Sequence, residues 1–150
     1  MGTWTTARTI DRSPEDVIDV LTDPMACSRW APIDFEVEQL EGDRLAPGRR
    51  ARVTGRLAGV GVAFDVEVHR ADEERLILEA RGPVDMDVDY ELAPHPRGSE
   101  VRASVSVRSG RGFTGRLLAQ ATDALLAGGA LQRAVDRIAR ELEREALLAA

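Results

Sequence analysis

The sequence predicts an α+β protein: a seven-stranded antiparallel sheet wrapped around a long C-terminal helix, with two short helices after the first strand. Helix-start signals follow a first β-branched segment, the hydrophobic period is two from residue 33 to residue 109, and helical spacing returns from Phe113 onward. Turn signals divide the middle of the chain near Gly42, Gly59, Asp72, Gly82 and residues 94–98. A chain of 150 residues is expected to form a single domain over residues 1–150 with its own core.

Local signals predict the first strand and the two short helices. The segment TWTTARTI, Thr3 to Ile10, is rich in β-branched residues and is typical of a strand. Ser13 is the predicted N-cap of the first helix, with Pro14 at the first helical position and Asp16 completing a capping box. Asp23 followed by Pro24 repeats this signal, which predicts a second helix over DPMACSRW.

Four acids alternate along VDMDVDYEL, Val84 to Leu92, and predict either a calcium loop or the solvated face of a strand. A calcium loop counted from Asp85 needs glycine at its sixth position and glutamate at its twelfth, where this sequence has Tyr90 and Pro96. Folding the segment back on residues 101–109 about the loop PHPRG satisfies both faces at once. In that register Met86, Val88, Tyr90 and Leu92 face Val107, Val105, Ala103 and Val101, while Asp85 and Glu91 face Arg108 and Arg102, and Asp87 and Asp89 face Ser106 and Ser104. We therefore interpret the acids as the outer face of a strand.

The neighbouring hairpin predicts a similar charged outer face. A turn at Gly59 and Val60 places Arg52 opposite Glu67, Arg50 opposite His69, and Gly55 opposite Phe64. The preceding strand, IDFEVEQL, offers Asp34, Glu36 and Glu38 to the same arginines. Exposed ion pairs are worth only about 0.2–1 kcal/mol each, so they favour a register without defining a function.

The inner face of the predicted sheet is broad and apolar. A helix is only about 10 Å across, so one helix leaves space beside it that is either filled by side chains or left as a pocket. Aromatic residues are only 4% of the chain, which favours a pocket. Gly128 and Gly129 lie inside the predicted helix, where each costs about 1 kcal/mol relative to alanine. A kink over the mouth of the cavity and close packing on the sheet are the two explanations. The inner face comprises Val53, Leu57, Val62, Phe64, Val66, Val68, Leu76, Leu78, Met86, Val88, Tyr90, Val101, Val105 and Val107.

Composition excludes several classes of function. A net charge of -6 argues against nucleic acid as a partner, since phosphates require a basic surface. No apolar run approaches the roughly 18 residues of a membrane span, and the N-terminal segment MGTWTTARTI lacks the apolar core of a signal peptide. Cys27 is the single cysteine, so we expect a reducing cytoplasm. All 20 basic residues are arginine, which excludes Schiff-base chemistry on lysine and is typical of a GC-rich bacterial genome.

Few residues are suited to catalysis. His69 has outward parity and His95 lies in a turn, so both are expected to face solvent and a histidine-dependent triad is not predicted. Tyr90 and Arg8 are the candidate catalytic residues. Tyr90 shares the parity of Met86 and Val88, whereas the sequence leaves the inward or outward parity of Arg8 open; an inward Arg8 would polarise a ligand carbonyl. Cys27 is interpreted as a small buried side chain rather than a nucleophile. No spacing typical of metal ligands or of a phosphate loop is present, so no metal or cofactor is expected.

Several segments, taken in order, resemble a known family. They are TIDRSPEDVIDVLTDP at residues 9–24, Trp30, LAPGRRARV at residues 45–53, the strand-rich middle, and the final helix over residues 117–143. The sequence resembles the polyketide cyclase/dehydrase branch of the START and birch-pollen-allergen superfamily, often called SRPBCC. The resemblance spans nearly the whole chain and implies the helix-grip fold and an internal cavity for hydrophobic molecules. Some members are cyclases, dehydratases or lipid carriers.

Three functions follow from these observations, in order of preference. The first is binding of a lipid-like or aromatic molecule as a carrier or sensor. The second is a cyclase or dehydratase acting in the same cavity, and the third is an adapter that docks on a protein or membrane. The sequence leaves the ligand and the oligomeric state open. The predicted ligand-binding residues are Trp30, Val53, Phe64, Val66, Met86, Val88, Tyr90, Val105, Leu125 and Gly128.

Overall fold

Seven strands and four helices make up the protein in the computed structural model, which describes residues 2–31 and 35–149. The strands are β1 (Thr3–Ile10), β2 (Phe35–Leu40), β3 (Arg50–Leu57), β4 (Val60–Ala71), β5 (Arg75–Arg81), β6 (Val84–His95) and β7 (Gly98–Gly110). The helices are α1 (Pro14–Thr22), α2 (Pro24–Trp30), α3 (Gly112–Ala127) and α4 (Ala130–Ala149). The strands form one open antiparallel sheet in the order β1-β7-β6-β5-β4-β3-β2, which confirms the predicted α+β helix-grip class.

Both short helices begin at the predicted caps. The backbone N–H of Asp16 donates to the Ser13 hydroxyl at 3.3 Å, and the N–H of Met25 donates to the Asp23 carboxylate at 3.0 Å. These side chains satisfy N–H groups that have no partner inside the helix. Ile33 and Asp34, which were predicted to begin the second strand, lie outside the described residues.

The β6–β7 register is confirmed along most of its length. Met86, Val88, Tyr90 and Leu92 lie opposite the predicted partners, and Glu91 lies opposite Arg102. The predicted pairing of Asp85 with Arg108 is wrong, because a bulge between Asp85 and Met86 shifts the register. Asp85 is nearly buried and instead accepts hydrogen bonds from the Gly82 N–H and the Arg111 guanidinium, each at 3.4 Å.

The β3–β4 hairpin turns one residue earlier than predicted. Leu57 pairs with Val60, so the two turn residues are Ala58 and Gly59, with φ angles of 52° and 78°. Positive φ at both positions gives the tight turn that suits the twist of a hairpin, although alanine rarely adopts it. The three predicted pairs are therefore wrong: Arg52 lies opposite Asp65, Arg50 opposite Glu67, and Gly55 opposite Val62. The shift equals two residues along β4, so each side chain keeps its predicted face.

The C-terminal helix is interrupted at the two glycines. Gly128 ends α3, and Gly129 has a φ of 91°, a conformation that favours glycine. A Cβ on Gly128 would contact only the carbonyl oxygens of Ala124 and Leu125, at 3.3 and 3.5 Å. Close packing of Gly128 on the sheet is therefore the wrong explanation, and the glycines break the helix. The 20-residue α4 is the long C-terminal helix of the fold.

The core lies between the inner face of the sheet and the helices. Helix α4 packs on β1, β7, α1 and α2, whereas α3 packs mainly on β7 and also on β6 and β3. Val135, Ile138 and Leu142 lie on the buried face of α4 and are fully buried. Among the described residues, no helix combines the length and apolarity needed to cross a membrane.

Candidate ligand-binding site

The helices cover the inner face of the sheet only in part. Leu78 on β5 lies opposite Val88 on β6, and both are only partly buried although they face the core. Their neighbours in the same row across the sheet, Val68 and Val105, are 1% and 7% exposed. Further partly buried apolar side chains pack on this core from β2, β3, β6 and α3. We call this set the inner patch: Phe35, Val53, Leu78, Met86, Val88 and Leu125.

The inner patch packs against residues that are almost completely buried. Phe64 is 1% exposed and packs edge-on against Phe35, with ring centroids 5.8 Å apart. Val66 and Val105 are also buried in the same core. The structure thus places most of the predicted ligand-binding residues in, or packed against, one apolar core. Gly128 lies apart from them, exposed at the end of α3. Contact of any of these residues with a ligand stays a prediction.

An aromatic pair lies at one end of this surface. Trp30 at the end of α2 contacts Tyr90 on β6 in a T-shaped arrangement, with ring centroids 5.7 Å apart. Tyr90 is on the same face of β6 as Val88, as predicted, and Trp30 packs between the short helices and the sheet, as predicted. Within the described ranges, neither the Trp30 Nε1–H nor the Tyr90 hydroxyl has a hydrogen-bond partner. A buried donor without an acceptor costs about 1–3 kcal/mol.

Tyr90 and the neighbouring Cys27 are both held in their neutral forms. Burial raises the pKa of the Tyr90 hydroxyl well above its ordinary value, and the neighbouring Cys27 adds to the shift. Burial also raises the pKa of the Cys27 thiol to about 12, with the charge of Asp23 contributing. The thiol donates to the Leu21 carbonyl at 3.5 Å. Cys27 is therefore a partly buried side chain that is neutral at neutral pH, which agrees with the interpretation that it is not a nucleophile.

The arginines on the flanking elements already have partners. Arg8 has inward parity on β1 and pairs with Asp136 at 2.6 Å. The action of Arg8 on a ligand carbonyl stays a prediction. A ligand would have to compete with Asp136 for the Arg8 guanidinium. Arg29 pairs with Glu141 at 2.9 Å, and Arg137 donates to the Ala31 carbonyl at 2.8 Å.

The outer face of the sheet is a network of ion pairs. Asp87 pairs with Arg108 and Asp89 pairs with Arg75, each at 2.9 Å. His69 is exposed, 3.8 Å from Glu79, which confirms its outward parity. In the part of the chain that the structure describes, no group of three or more His, Cys, Asp or Glu side chains is arranged to hold a metal ion.

Three concavities lie away from the inner patch. One of about 610 Å³ is lined mainly by charged residues of β2 to β5, and one of about 520 Å³ lies between α1 and the β4–β5 turn. The third, of about 490 Å³, lies between α2 and β2 and includes Val37 and Leu40. None of these three is the apolar pocket predicted between the sheet and the final helix, which stays a prediction.

Sequence reasoning missed two members of the inner patch as site residues. Phe35 shares the inner parity of Val37 on β2, so the alternation of that strand contained the signal. Leu78 was assigned to the inner face, but its partial exposure depends on where the helices lie. The contact between Trp30 and Tyr90 joins residues 60 positions apart and has no local signal.

Solved structures with the same fold come from several bacteria. TTHA0849 from Thermus thermophilus has a TM-score of 0.71 at 19% identity, covering 95% of this chain and 98% of that one. NE0264 from Nitrosomonas europaea has a TM-score of 0.71 at 18% identity, covering 97% of each chain. DynU16, a protein in the dynemicin biosynthetic locus, has a TM-score of 0.63 at 21% identity, covering 95% of this chain and 48% of that one. At these identities the likeness establishes the fold alone.

Sequence comparison identifies the family. No curated protein is similar enough in sequence to count as a match. A family model described as "Polyketide cyclase / dehydrase and lipid transport" matches residues 1–144, which is nearly the whole chain. The strand order, the two capped helices and the C-terminal helix agree with the fold that the resemblance implied. The chain therefore belongs to the polyketide cyclase/dehydrase and lipid transport family, within the SRPBCC group.

Proposed function

We propose that this protein binds a hydrophobic small molecule, lipid-like or aromatic and polyketide-like, on the inner patch, as a carrier or sensor. The observation that carries the proposal is a set of partly exposed apolar side chains packed against the core, most of them on the inner face of the sheet. Covering such surface with an apolar ligand is favourable by roughly 25 cal/mol per Å². Membership of a family that includes lipid transport supports the same function.

The titratable groups support a carrier or sensor over a cyclase or dehydratase. General acid–base catalysis works best when the pKa of the catalytic group lies near the working pH. Burial moves the pKa values of Tyr90 and Cys27 away from neutrality, and Asp136 already pairs with Arg8. Binding requires none of these groups to exchange a proton.

An adapter role has less support than binding. The outer face of the sheet is an array of paired charges that solvent also reaches, and such surfaces are common on proteins without a docking partner. The proposed carrier or sensor acts in the cytoplasm, for which the single cysteine is the support.

A matched pair of substitutions tests the binding site. A fluorescent hydrophobic probe is titrated into the wild-type protein, Val88→Trp and Asp89→Trp. Val88 belongs to the inner patch, whereas its neighbour Asp89 points to the outer face. We expect Val88→Trp to weaken binding tenfold or more with little loss in melting temperature, because the new indole occupies the ligand's space. Asp89→Trp should bind like the wild type.

The binding proposal is wrong if no hydrophobic probe binds, or if both variants bind it equally well. Native mass spectrometry of the purified protein provides an independent measurement. A co-purifying lipid or aromatic compound that is lost in Val88→Trp and retained in Asp89→Trp would identify the ligand class directly.

Tyr90→Phe separates a carrier from an enzyme. A carrier loses at most one hydrogen bond, about 0.5–1.5 kcal/mol of binding free energy, and still binds. An enzyme that uses the hydroxyl as an acid should lose roughly 10²-fold in rate while its substrate still binds. The measurement is binding of the probe beside turnover of any compound found bound to the protein.

A further inference from the structure

We propose that the ligand carries an uncharged oxygen, such as a ketone, aldehyde or ester carbonyl, and that the Trp30 Nε1–H and the Tyr90 hydroxyl donate hydrogen bonds to it. This inference rests on the proposed function, because it requires a ligand on the inner patch. It adds the chemical class of the ligand's polar end and the two residues that recognise it.

Unsatisfied donors at the edge of the inner patch are the first step of the argument. Trp30 is 8% exposed, and its indole N–H has no acceptor among the residues that the structure describes. An indole nitrogen can only donate, so a nearby donor cannot satisfy it. Tyr90, in contact with the Trp30 ring, likewise has no hydrogen-bond partner in the described ranges. Native proteins rarely leave a buried donor such as the Trp30 N–H unpaired, so an oxygen supplied by a ligand accounts for it, and the Tyr90 hydroxyl can donate to the same oxygen.

The position of the pair relative to the inner patch is the second step. Tyr90 and Val88 are two residues apart on the same face of β6, which places their Cα atoms roughly 7 Å apart. That distance is shorter than a two-ring aromatic molecule. A ligand whose apolar part covers Val88 and Leu78 is therefore long enough to place its polar end at the two donors of the aromatic pair.

The other tryptophan shows what a satisfied indole looks like in this protein. Trp4 on β1 donates from Nε1 to the Asp123 carboxylate at 3.4 Å. The chain contains two tryptophans, and of these Trp30 is the more deeply buried and the one without an acceptor in the described residues. Trp4 is therefore the matched control for experiments on Trp30.

The neutral side chains of the pair favour an uncharged polar end. Tyr90 and Cys27 are held in their uncharged forms by burial. Two arginines lie near the end of α2. Arg29, which precedes Trp30, pairs with Glu141, and Arg137 donates to the Ala31 carbonyl. A carboxylate beside the two neutral side chains would lose its hydration, and Arg137 already donates a hydrogen bond to the Ala31 carbonyl. A neutral carbonyl loses far less hydration and accepts both hydrogen bonds.

Three ligands of the same shape test the inference: 2-acetylnaphthalene, 2-ethylnaphthalene and 2-naphthoate. The first carries a neutral carbonyl, the second no polar group, and the third a carboxylate. We expect the wild-type protein to bind the ketone roughly 2- to 10-fold more tightly than the hydrocarbon. Trp30→Phe should abolish most of that preference, whereas Trp4→Phe should preserve it. Naphthoate should bind most weakly of the three.

Indole resonances provide a readout that does not depend on affinity. A 15N-labelled sample has two indole N–H signals, and Trp4→Phe and Trp30→Phe assign them. We expect the ketone to move the Trp30 signal downfield, as a new hydrogen bond does, and the hydrocarbon to leave it nearly unchanged. If Trp30→Phe does not fold, Trp4→Phe alone assigns the Trp30 signal, and Tyr90→Phe serves as the affinity variant.

The outcomes separate this inference from the proposed function. If ketone and hydrocarbon bind equally well and the ketone leaves the Trp30 signal unmoved, while Val88→Trp still blocks both, the inference is wrong and the binding function stands. If naphthoate binds more tightly than the ketone, the uncharged ligand class is wrong. If none of the three binds the wild-type protein, both the inference and the proposed function fail.

Discussion

The two faces of strand β6 differ in how their polar groups are satisfied. On the outer face Asp87 and Asp89 each pair with an arginine at 2.9 Å and remain open to solvent. On the inner face Tyr90 is 2% exposed, and within the described residues its hydroxyl has no partner. The backbone is the same, and the side chains differ only in parity. The comparison teaches that the paired charges of this strand belong to its outer face, whereas the unpaired Tyr90 hydroxyl lies on the face where we propose that a ligand binds.

Substitutions on the two faces of the sheet should therefore lower the free energy of unfolding by different amounts. Truncating a buried side chain removes both its transfer free energy and its packing contacts. Removing one partner of an exposed ion pair changes an interaction that water already screens. The following predictions test this contrast, beginning with the largest expected effect.

Adjacent residues on β4 test the contrast in stability. Phe64 is 1% exposed, whereas the Asp65 side chain is 75% exposed and pairs with Arg52 at 3.1 Å. Phe64→Ala should lower the free energy of unfolding by about 3–5 kcal/mol, and Asp65→Ala by no more than about 1 kcal/mol. Urea denaturation measures both. Equal losses in the two variants would contradict the assignment of faces.

Alkaline titration tests the burial of the aromatic pair. Tyr90 is the chain's single tyrosine, so tyrosinate absorbance near 295 nm reports it alone. Burial raises the pKa values of Tyr90 and Cys27, so the folded protein keeps protons that the unfolded chain loses above their ordinary values of 10.0 and 9.0. Stability should therefore be fully present below pH 9 and fall as the pH rises above it. Tyrosinate should appear only as the protein unfolds.

Matched variants assign the alkaline loss of stability. Cys27→Ala should remove the part that begins near pH 9, and Tyr90→Phe the part that begins near pH 10. A tyrosinate transition centred near pH 10 in protein that circular dichroism shows to be folded would contradict the burial of Tyr90.

A double-mutant cycle on Arg75 and Asp89 tests the outer face. These side chains are each 36% exposed, and Arg75 also lies 3.8 Å from Glu91. The Arg75–Glu91 contact is lost in both variants that lack Arg75 and kept in both proteins that retain it, so the cycle cancels its contribution. We expect a coupling free energy of about 0.2–1 kcal/mol that decreases when salt is added. A coupling of several kcal/mol, insensitive to salt, would mean that this face is not solvated.

Calcium should have no effect on stability. Asp87 pairs with Arg108, Asp89 and Glu91 share Arg75, and Asp85 is engaged by Gly82 and Arg111. The acids of β6 therefore do not converge on one ion. Millimolar calcium should leave the melting temperature unchanged, with magnesium as the control. A rise of several degrees that grows with calcium concentration would indicate a specific site, since binding to the folded state stabilises it.

Local chemistry determined much of this protein in advance. Ser13 and Asp23 cap the two short helices because their side chains accept hydrogen bonds from N–H groups two or three residues ahead. The β6–β7 register from Met86 to Leu92 follows from alternation and one short loop, since a slip of one residue would bury charges. Parity likewise assigned Phe64, Val88 and Tyr90 to the core side. These features depend on residues that are neighbours in the chain or across a hairpin.

Only the tertiary structure decided the features that depend on distant neighbours. The bulge at Asp85 arises where β6 must meet both the β5–β6 turn and Arg111. The break at Gly129 depends on how α3 packs on β7, β6 and β3 while α4 packs on β1 and β7. The pairing of Trp30 with Tyr90, and the partial exposure of Leu78 and Val88, follow from where α2 and the C-terminal helices lie over the sheet. Periodicity specifies which face a side chain occupies, but it contains no information about what covers that face. Whether an inward residue is buried by a helix or left available to a ligand is set by packing between elements far apart in the chain.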